Sequence, residues 1–517
     1  MEGTQIFVSL VLLCFSGFCA FLYEVLWLRA ERLRKKLRQQ GIRGPPPSFP
    51  YGNFLDMKRI KSAMVGMSPL MEKDGSLTSD YTPVLFPYLE LWRKEYGPIF
   101  TYATGNVQHI YITDPNLVKE ISLHKSWDLG KPSYVIEQLG ALLGHGVTMS
   151  NGHVWAHQRK LIAPEFFIDK VKGMVGLMVE TTLPLLKLWE DQIEGGGGLA
   201  DIRVDEDLIN LSADVISRAC FGSTYSDGKE IFSLFKRLQS TMSGATIFIR
   251  IPYLRYLPTK SNREAWRLEQ EIEKWISESV TKRREQNVAS TEKDLLQMIL
   301  EAANADKLEQ KTANRLVLDN CKNIYVAGHE TVSSAATWAL MLLASHPEWQ
   351  SRIRTEVTEV FGDGLPNADM LHKMKTLTMV IQETLRLYPP SSFIAREAFK
   401  EKHIDELCIP KGVNLWIPIA TLHRLPEIWG PDSDEFKPER FAQGISGACK
   451  LPQMYMPFGL GPRTCLGQKF AMVELKIILS LIVSKFSFSL SPNYIHSPAF
   501  KLVIQPEYGI NLLIRGA

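Results

Sequence analysis

Residues 3–23 carry no charge over 21 consecutive positions, long enough for a helix to cross the roughly 30 Å apolar core of a bilayer. Residues 323–343 and 470–482 are also rich in apolar side chains. Their periodicity predicts long helices buried inside a folded body. Between the first run and the body, residues 29–43 hold seven bases and one acid, and Gly44-Pro45-Pro46-Pro47 follows, with Pro50 beyond. Proline lacks the N–H a helix needs and has few accessible conformations, so this stretch is expected to be a stiff hinge. The pattern divides the chain into a membrane anchor (1–28, span about 3–23), a basic segment with a proline-rich hinge (29–52), and one large body (53–517).

The basic cluster directly after the apolar run favours retention of that side in the cytosol, and it can rest on anionic headgroups. A cleavable leader is the alternative, but no small-residue cleavage site clearly follows. At 517 residues the length allows about three domains. No internal repeat or long low-complexity linker divides the body, however. The glycine run 195–198 and the polar segment 303–312 read as loops. Apolar residues make up 45 % of the chain, ample for a large core. The net charge is +3, and the basic cluster alone contributes +6, so the remainder is slightly acidic and nothing suggests nucleic-acid binding. Seven cysteines without a Cys-x-x-Cys pair argue against a disulfide framework and a zinc site, and for a reducing compartment.

The chemistry concentrates in Phe458-Gly459-Leu460-Gly461-Pro462-Arg463-Thr464-Cys465-Leu466-Gly467. This glycine-bent loop presents one cysteine just before the apolar run at 470–482. A thiolate there is expected to gain from the free N–H groups and dipole of the helix. Glycines let backbone approach a large flat group, and Arg463 can bind a carboxylate on it. Haem meets these requirements. Upstream, Ala327-Gly328-His329-Glu330-Thr331 lies in the long apolar run. Small residues there would let the helix pass close to a flat cofactor. Glu330 beside the Thr331 hydroxyl offers a route for protons into an apolar cavity. Alone, such a pair is an ordinary polar step on a helix. His329 reads as packed or solvent-facing rather than as a ligand. Trp155 and Arg159 share a helix face at i, i+4, and Glu383 and Arg386 form an i, i+3 pair.

The cysteine loop matches F-x-x-G-x-R-x-C-x-G at every fixed position, and Ala327–Thr331 matches [AG]-G-x-[DE]-T. In both, the chain resembles the cytochrome P450 enzymes, although Val332 stands where a second Thr or Ser is common. The resemblance spans essentially the whole chain. It implies a mainly helical fold with small β-sheets, preceded by a transmembrane helix. It also implies haem b held by Cys465 as the axial iron ligand, with Phe458 and Gly459 shaping the loop. Arg463, Trp155, Arg159 and Arg396 would contact the propionates, and Glu330 and Thr331 would serve oxygen activation. Glu383, Arg386 and Arg440 would form a buried structural network. Gly41 to Pro47, Asn323 to Glu330 and Ser391 to Arg396 resemble the plant clan that oxidises gibberellins, cytokinins and triterpenoids, and most of all its gibberellin-oxidising family.

The activity so implied is a monooxygenase of the endoplasmic reticulum membrane, inserting one atom of O2 into a terpenoid acid by hydroxylation or epoxidation. Its body would face the cytosol. No nicotinamide or flavin fingerprint is present, because Thr464 takes the last glycine position of Gly459-Leu460-Gly461. Electrons would therefore come from NADPH through NADPH–cytochrome P450 reductase. The zinc-protease pattern fails too, since no second histidine follows His329-Glu330 at the required spacing. Two other functions fit the haem loop: an isomerase or dehydratase that needs no reductase, and a non-catalytic haem-binding protein. The substrate pocket is expected to be apolar, lined by residues 142–147, Gly328, Thr331, residues 391–394 and the turn at 506–509.

Overall fold

In the computed structural model, residues 2–64, 80–125, 127–222, 225–242, 257–285, 295–305, 309–362 and 364–517 are described. The body is mainly helical with four small sheets among these residues. Its axis is the long helix Gln310–Ser345, 36 residues of which most are buried. It stops at His346 because the next residue, Pro347, opens a new helix and supplies no N–H. The helix Val204–Phe221 packs beside it, and the cysteine helix Gln468–Lys485 passes through the same core cluster. The expected loop at 303–312 is narrower in the structure. Helix Leu295–Ala305 takes in its start and the long helix takes in residues 310–312; residues 306–308 lie outside the described residues.

A five-stranded sheet covers one flank. Ile99–Thr104 pairs antiparallel with Val107–Ile112, which runs parallel to Asn414–Pro418. That strand pairs antiparallel with Phe393–Ala398, and Leu129–Gly130 closes the edge. Gly130 pairs with Glu397, so the start of the helix Ser133–Leu143 is brought beside Arg396.

The N-terminal helix runs from Thr4 to Gln39 with a π-helical turn at Glu24–Leu28. Its apolar first half is exposed, with Ile6, Phe7, Leu13 and Phe15 each more than 60 % accessible, the composition of a candidate membrane span. Its basic second half, Arg29–Gln39, is a helix docked on the body. Leu37 is fully buried in the core beneath the sheet, Lys36 pairs with Glu401 at 2.9 Å, and Gln40 exchanges two hydrogen bonds with the backbone of Cys408. The proline segment then lies along the first strand: Thr101 N donates to Arg43 O, and Asn53 donates to the carbonyls of Pro45 and Pro46.

Candidate active site

Beyond its exposed first turns, the long helix opens again at one place in its middle. Ala327 is exposed and Gly328 and Thr331 are partly so, while residues 316–326 before them and the eleven from Val332 to Leu342 are buried. Positions 327, 328 and 331 share one helix face, so a hollow lies against that face. Gly328 has a second use besides the expected approach to a cofactor. A Cβ at this position would stand 2.7 Å from Ile216, so its small size admits the neighbouring helix, and Ala327 is the residue left open.

Glu330 and Thr331 are consecutive and therefore about 100° apart around the axis, and their side chains bond in different directions. Thr331 Oγ1 donates to Ala327 O at 2.8 Å, which leaves its lone pairs available as acceptors. Glu330 is buried, with His329 Nε2 3.4 Å from its Oε1. Burial acts to raise its pKa. His329, Gln239 and the charge of Lys501 outweigh burial and leave it below the ordinary value. His329 is packed, as expected, with Nδ1 at 2.7 Å from Tyr325 O and its ring between Tyr325 and Phe232.

In the cysteine loop, Gly459 and Gly461 have φ of +73° and +75°, where side chains are strained. A Cβ on Gly461 would also lie 2.1 Å from Ser122 O. Phe458 O accepts from Cys465 N at 2.8 Å and closes the loop. Cys465 is accessible on one side and enclosed by protein on the others. Burial pushes its thiol pKa up, against the pull of the Gly467 N–H and Arg159. The expected stabilisation at a helix N-terminus is therefore outweighed; the helix itself begins only at Gln468. A bound cation would deprotonate such a thiol outright.

Trp155, Arg159, Arg396 and Arg463 converge beside this loop. Arg463 and Arg159 lie over the Trp155 ring at 4.5 and 5.8 Å, and Arg159 donates to Thr464 O at 2.9 Å. Arg463 donates to Ser150 O at 3.1 Å and to Asn151 Oδ1 at 2.8 Å. Arg396 lines the same cleft as Trp155 and Arg463, and its hydrogen bond is to its neighbour's carbonyl, Ala395 O. Among the described residues no carboxylate pairs with any of the three arginines. Burial followed by mutual repulsion holds Arg463 low, and burial alone lowers Arg396.

Lys131 joins them, a residue that sequence reasoning missed. Burial, then Arg396 and Arg463, bring it down to about 8. It belongs to no motif and reaches the cleft only through the Gly130–Glu397 strand pairing. An enclosed cleft with four uncompensated cations beside an accessible cysteine fits a flat dianionic metal complex such as haem.

The Glu383–Arg386 pair is fully buried and bidentate, with both N–O distances 2.7 Å. Arg386 also donates to the carbonyls of His423, Ser433 and Glu435. Arg440 reaches Glu383 at 3.4 Å but sits closer to Asp432, at 2.8 Å. Sequence reasoning missed His423, which links this network to the cysteine loop. Its Nδ1 donates to Arg386 O at 3.1 Å and its Nε2 accepts from Met456 N at 3.0 Å. Burial lowers its pKa to about 3, so it keeps the neutral tautomer these bonds require.

One of the expected pocket segments, residues 142–147, is held by the long helix, and so is Ile504, just ahead of another. Asn320 and Asn323 accept from the backbone N–H groups of Val147 and Thr148, and Ser334 and Trp338 donate to Ile504 O. The turn at 506–509 lies elsewhere. Gly509 packs against Arg203 and Asp205, and it is Phe500 and Lys501, ahead of that turn, that line a cavity. The segment at 391–394 contributes Phe393 to that cavity.

Fold and site together define a haem-thiolate oxygenase. The sequence profile of the cytochrome P450 family matches residues 80–514, and the chain belongs to that family. It is 52 % identical to cytochrome P450 714C2 of Oryza sativa subsp. japonica over 98 % of this chain and 97 % of the relative. It is 47 % identical to cytochrome P450 714B3 of Zea mays (99 % and 96 % covered) and to cytochrome P450 714A2 of Arabidopsis thaliana (93 % and 92 %). The protein is thus a cytochrome P450 monooxygenase, an enzyme class that uses haem-thiolate and dioxygen.

Proposed function

We propose that this monooxygenase inserts one oxygen atom into a terpenoid acid, a gibberellin or a related diterpenoid or triterpenoid acid, at the endoplasmic reticulum membrane. The body faces the cytosol. The carrying observation is the accessible Cys465 beside three arginines without carboxylate partners. Cys465 would ligate the haem iron, and Arg159, Arg396 and Arg463 with Trp155 would hold the propionates. Phe458 and Gly459 shape the loop around the sulfur. Haem, when bound, supplies dioxygen activation: substrate C–H, O2, NADPH and a proton give C–OH, water and NADP+. NADPH–cytochrome P450 reductase delivers the two electrons.

Thr331 Oγ1, its hydrogen committed to Ala327 O, accepts a hydrogen bond from a proton donor in the hollow. Glu330, held ionised, relays protons from the side of Gln239 and Lys501. The intact Glu330–Thr331 pair supports a monooxygenase over an isomerase, which needs no such relay. The terpenoid substrate is supported by the resemblance to the gibberellin-oxidising family and by a largely aromatic cavity with a basic rim.

The test is an incubation of microsomes carrying this chain and a plant reductase with NADPH, labelled dioxygen, and gibberellins, kaurenoid acids and pentacyclic triterpene acids. One labelled oxygen in a terpenoid acid, absent with Cys465→Ala, is expected. Haem-loaded enzyme that labels none of the panel would overturn the substrate reading.

A further inference from the structure

The larger cavity, about 500 Å³, is separate from the cysteine cleft. Phe393 lines it, whereas Arg396 on the same strand lines the cleft with Trp155 and Arg463. Side chains alternate across a strand, so this strand is the wall between the two spaces. The aromatic walls are packed edge to face: Phe393 lies 4.8 Å from Phe86 and 6.3 Å from Phe500. One side is the helix Phe54–Met64, and its residues Phe54, Met57, Lys58 and Lys61 all line the cavity. Their spacing of i, i+3, i+4 and i+7 defines one helix face. Met57 is the buried residue of this face, while Lys58 and Lys61 are exposed and stand at the rim of the cavity. A third ammonium group, Lys501, arrives from the strand turn beyond Phe500. Among the described residues no carboxylate forms a salt bridge with Lys58 or Lys61, and Lys501 feels the charge of Glu330.

We propose that this cavity is a binding site for one rigid apolar monocarboxylic acid. Its carboxylate lies among Lys58, Lys61 and Lys501, and its hydrocarbon skeleton against Phe86, Phe393 and Phe500. Cavities of about 300–1,000 Å³ enclose ligands of this size. Three cations at the rim of an aromatic wall match an anion at one end of an apolar body. The choice of a terpenoid acid rests on the proposed function; the choice of an apolar carboxylate rests on the cavity alone. The site holds the acid on the far side of the Phe393 strand from the cysteine, as a station before the reaction chamber. It favours acids over their neutral esters before any chemistry occurs.

The test uses the full-length, haem-loaded enzyme in lipid nanodiscs. Equilibrium dialysis compares radiolabelled ent-kaurenoic acid, its methyl ester and oleate on the wild type and on the Lys58→Gln/Lys61→Gln double variant. Exposed ion pairs are worth about 0.2–1 kcal/mol each. The double variant should therefore weaken acid binding by roughly 3- to 10-fold, leave the ester and the haem content unchanged, and raise KM for any acid turned over without changing kcat. Lys501→Gln should weaken the acid by a further few-fold. Equal losses for acid and ester, or no loss for either, would overturn the site. Oleate binding as tightly as the diterpenoid would overturn the rigid skeleton. Lysine-dependent binding without any turnover would uphold the cavity and remove the substrate reading. Turnover of acids whose binding ignores the lysines would uphold that reading and remove the cavity.

Discussion

Two groups of buried arginines lie within the same core, and they are treated in opposite ways. Arg386 is fully buried and fully answered: a bidentate carboxylate and three carbonyl oxygens take up its donors. Arg396 and Arg463 are half-buried with no carboxylate partner among the described residues, and Arg159 and Lys131 stand close enough to repel them. Burying a charge without a counter-charge is costly. A fold that neutralises one group completely and leaves the other short of negative charge separates a structural network from a binding site. The first holds the loop in place; the second is completed by an anion from outside.

The comparison can be broken most easily at Glu383. Glu383→Ala leaves Arg386 charged in a site with no access to water, at a cost of about 3–5 kcal/mol. Natural domains have only about 5–15 kcal/mol in hand, so the variant should yield little haem-loaded protein and unfold at much lower denaturant. Wild-type unfolding in Glu383→Ala would show that the network is not structural.

His423 comes next. His423→Leu strands the Met456 N–H and the Arg386 carbonyl, and leaving buried polar groups unpaired costs about 1–3 kcal/mol each. The histidine also gives a pH signature. Its folded pKa is about 3, below the ordinary value of 6.5. Between these values the unfolded chain binds the extra proton, so stability falls as pH drops through that window. Denaturant midpoints at pH 7 and pH 5 should differ more in the wild type than in His423→Leu. Equal slopes would mean that the buried neutral imidazole contributes nothing there.

The same contrast explains what could be read from the residues alone. The cysteine loop is legible because its chemistry is local, with every donor and glycine within ten positions. The Glu383–Arg386 pair and the face shared by Trp155 and Arg159 are legible because helical spacing fixes them. Lys131 and His423 carry no such signature, since strand pairing and loop packing bring them to their partners. Gly328 has a further role that is illegible for a related reason: the sequence shows a missing side chain but not that Ile216 packs against it. The thiol of Cys465 was expected low and stands high, because the dipole is a local property and burial is not. The lysine-rimmed cavity draws on the helix at 54–64, the first strands, Phe393 and Lys501, too dispersed to be seen along the chain.

In the cleft the comparison predicts a different response. Arg396 donates to its own neighbour's carbonyl, so Arg396→Gln should change unfolding by no more than about 0.5 kcal/mol. A hydrogen bond to a charged group is worth about 1.5–3 kcal/mol, so haem should leave roughly 10- to 100-fold faster. Haem transfer to excess apomyoglobin measures this directly. A large loss of stability with unchanged haem retention would place Arg396 with Arg386, as a structural residue.

Lys131 gives the smallest and most specific effect. Its pKa, lowered to about 8 by burial and by Arg396 and Arg463, belongs to a cleft short of negative charge. Burial lowers Arg463 and Arg396 too, but a guanidinium keeps its proton more firmly than an ammonium, so Lys131 titrates first. A carboxylate placed among these cations favours the ammonium form and raises that pKa. The haem-bound form therefore holds a proton that the empty cleft gives up above about pH 8. Below that pH both forms are protonated and retention is flat. Above it, retention should fall by about 3- to 10-fold toward pH 10, because loss of the haem then carries the proton away as well. Lys131→Met should start with weaker retention and show no such fall, measured by the same transfer assay at pH 7, 8.5 and 10. If wild type and variant lose haem with the same pH dependence, the cations are not completed by the propionates. The distinction between the answered and unanswered arginines would then lose its functional meaning.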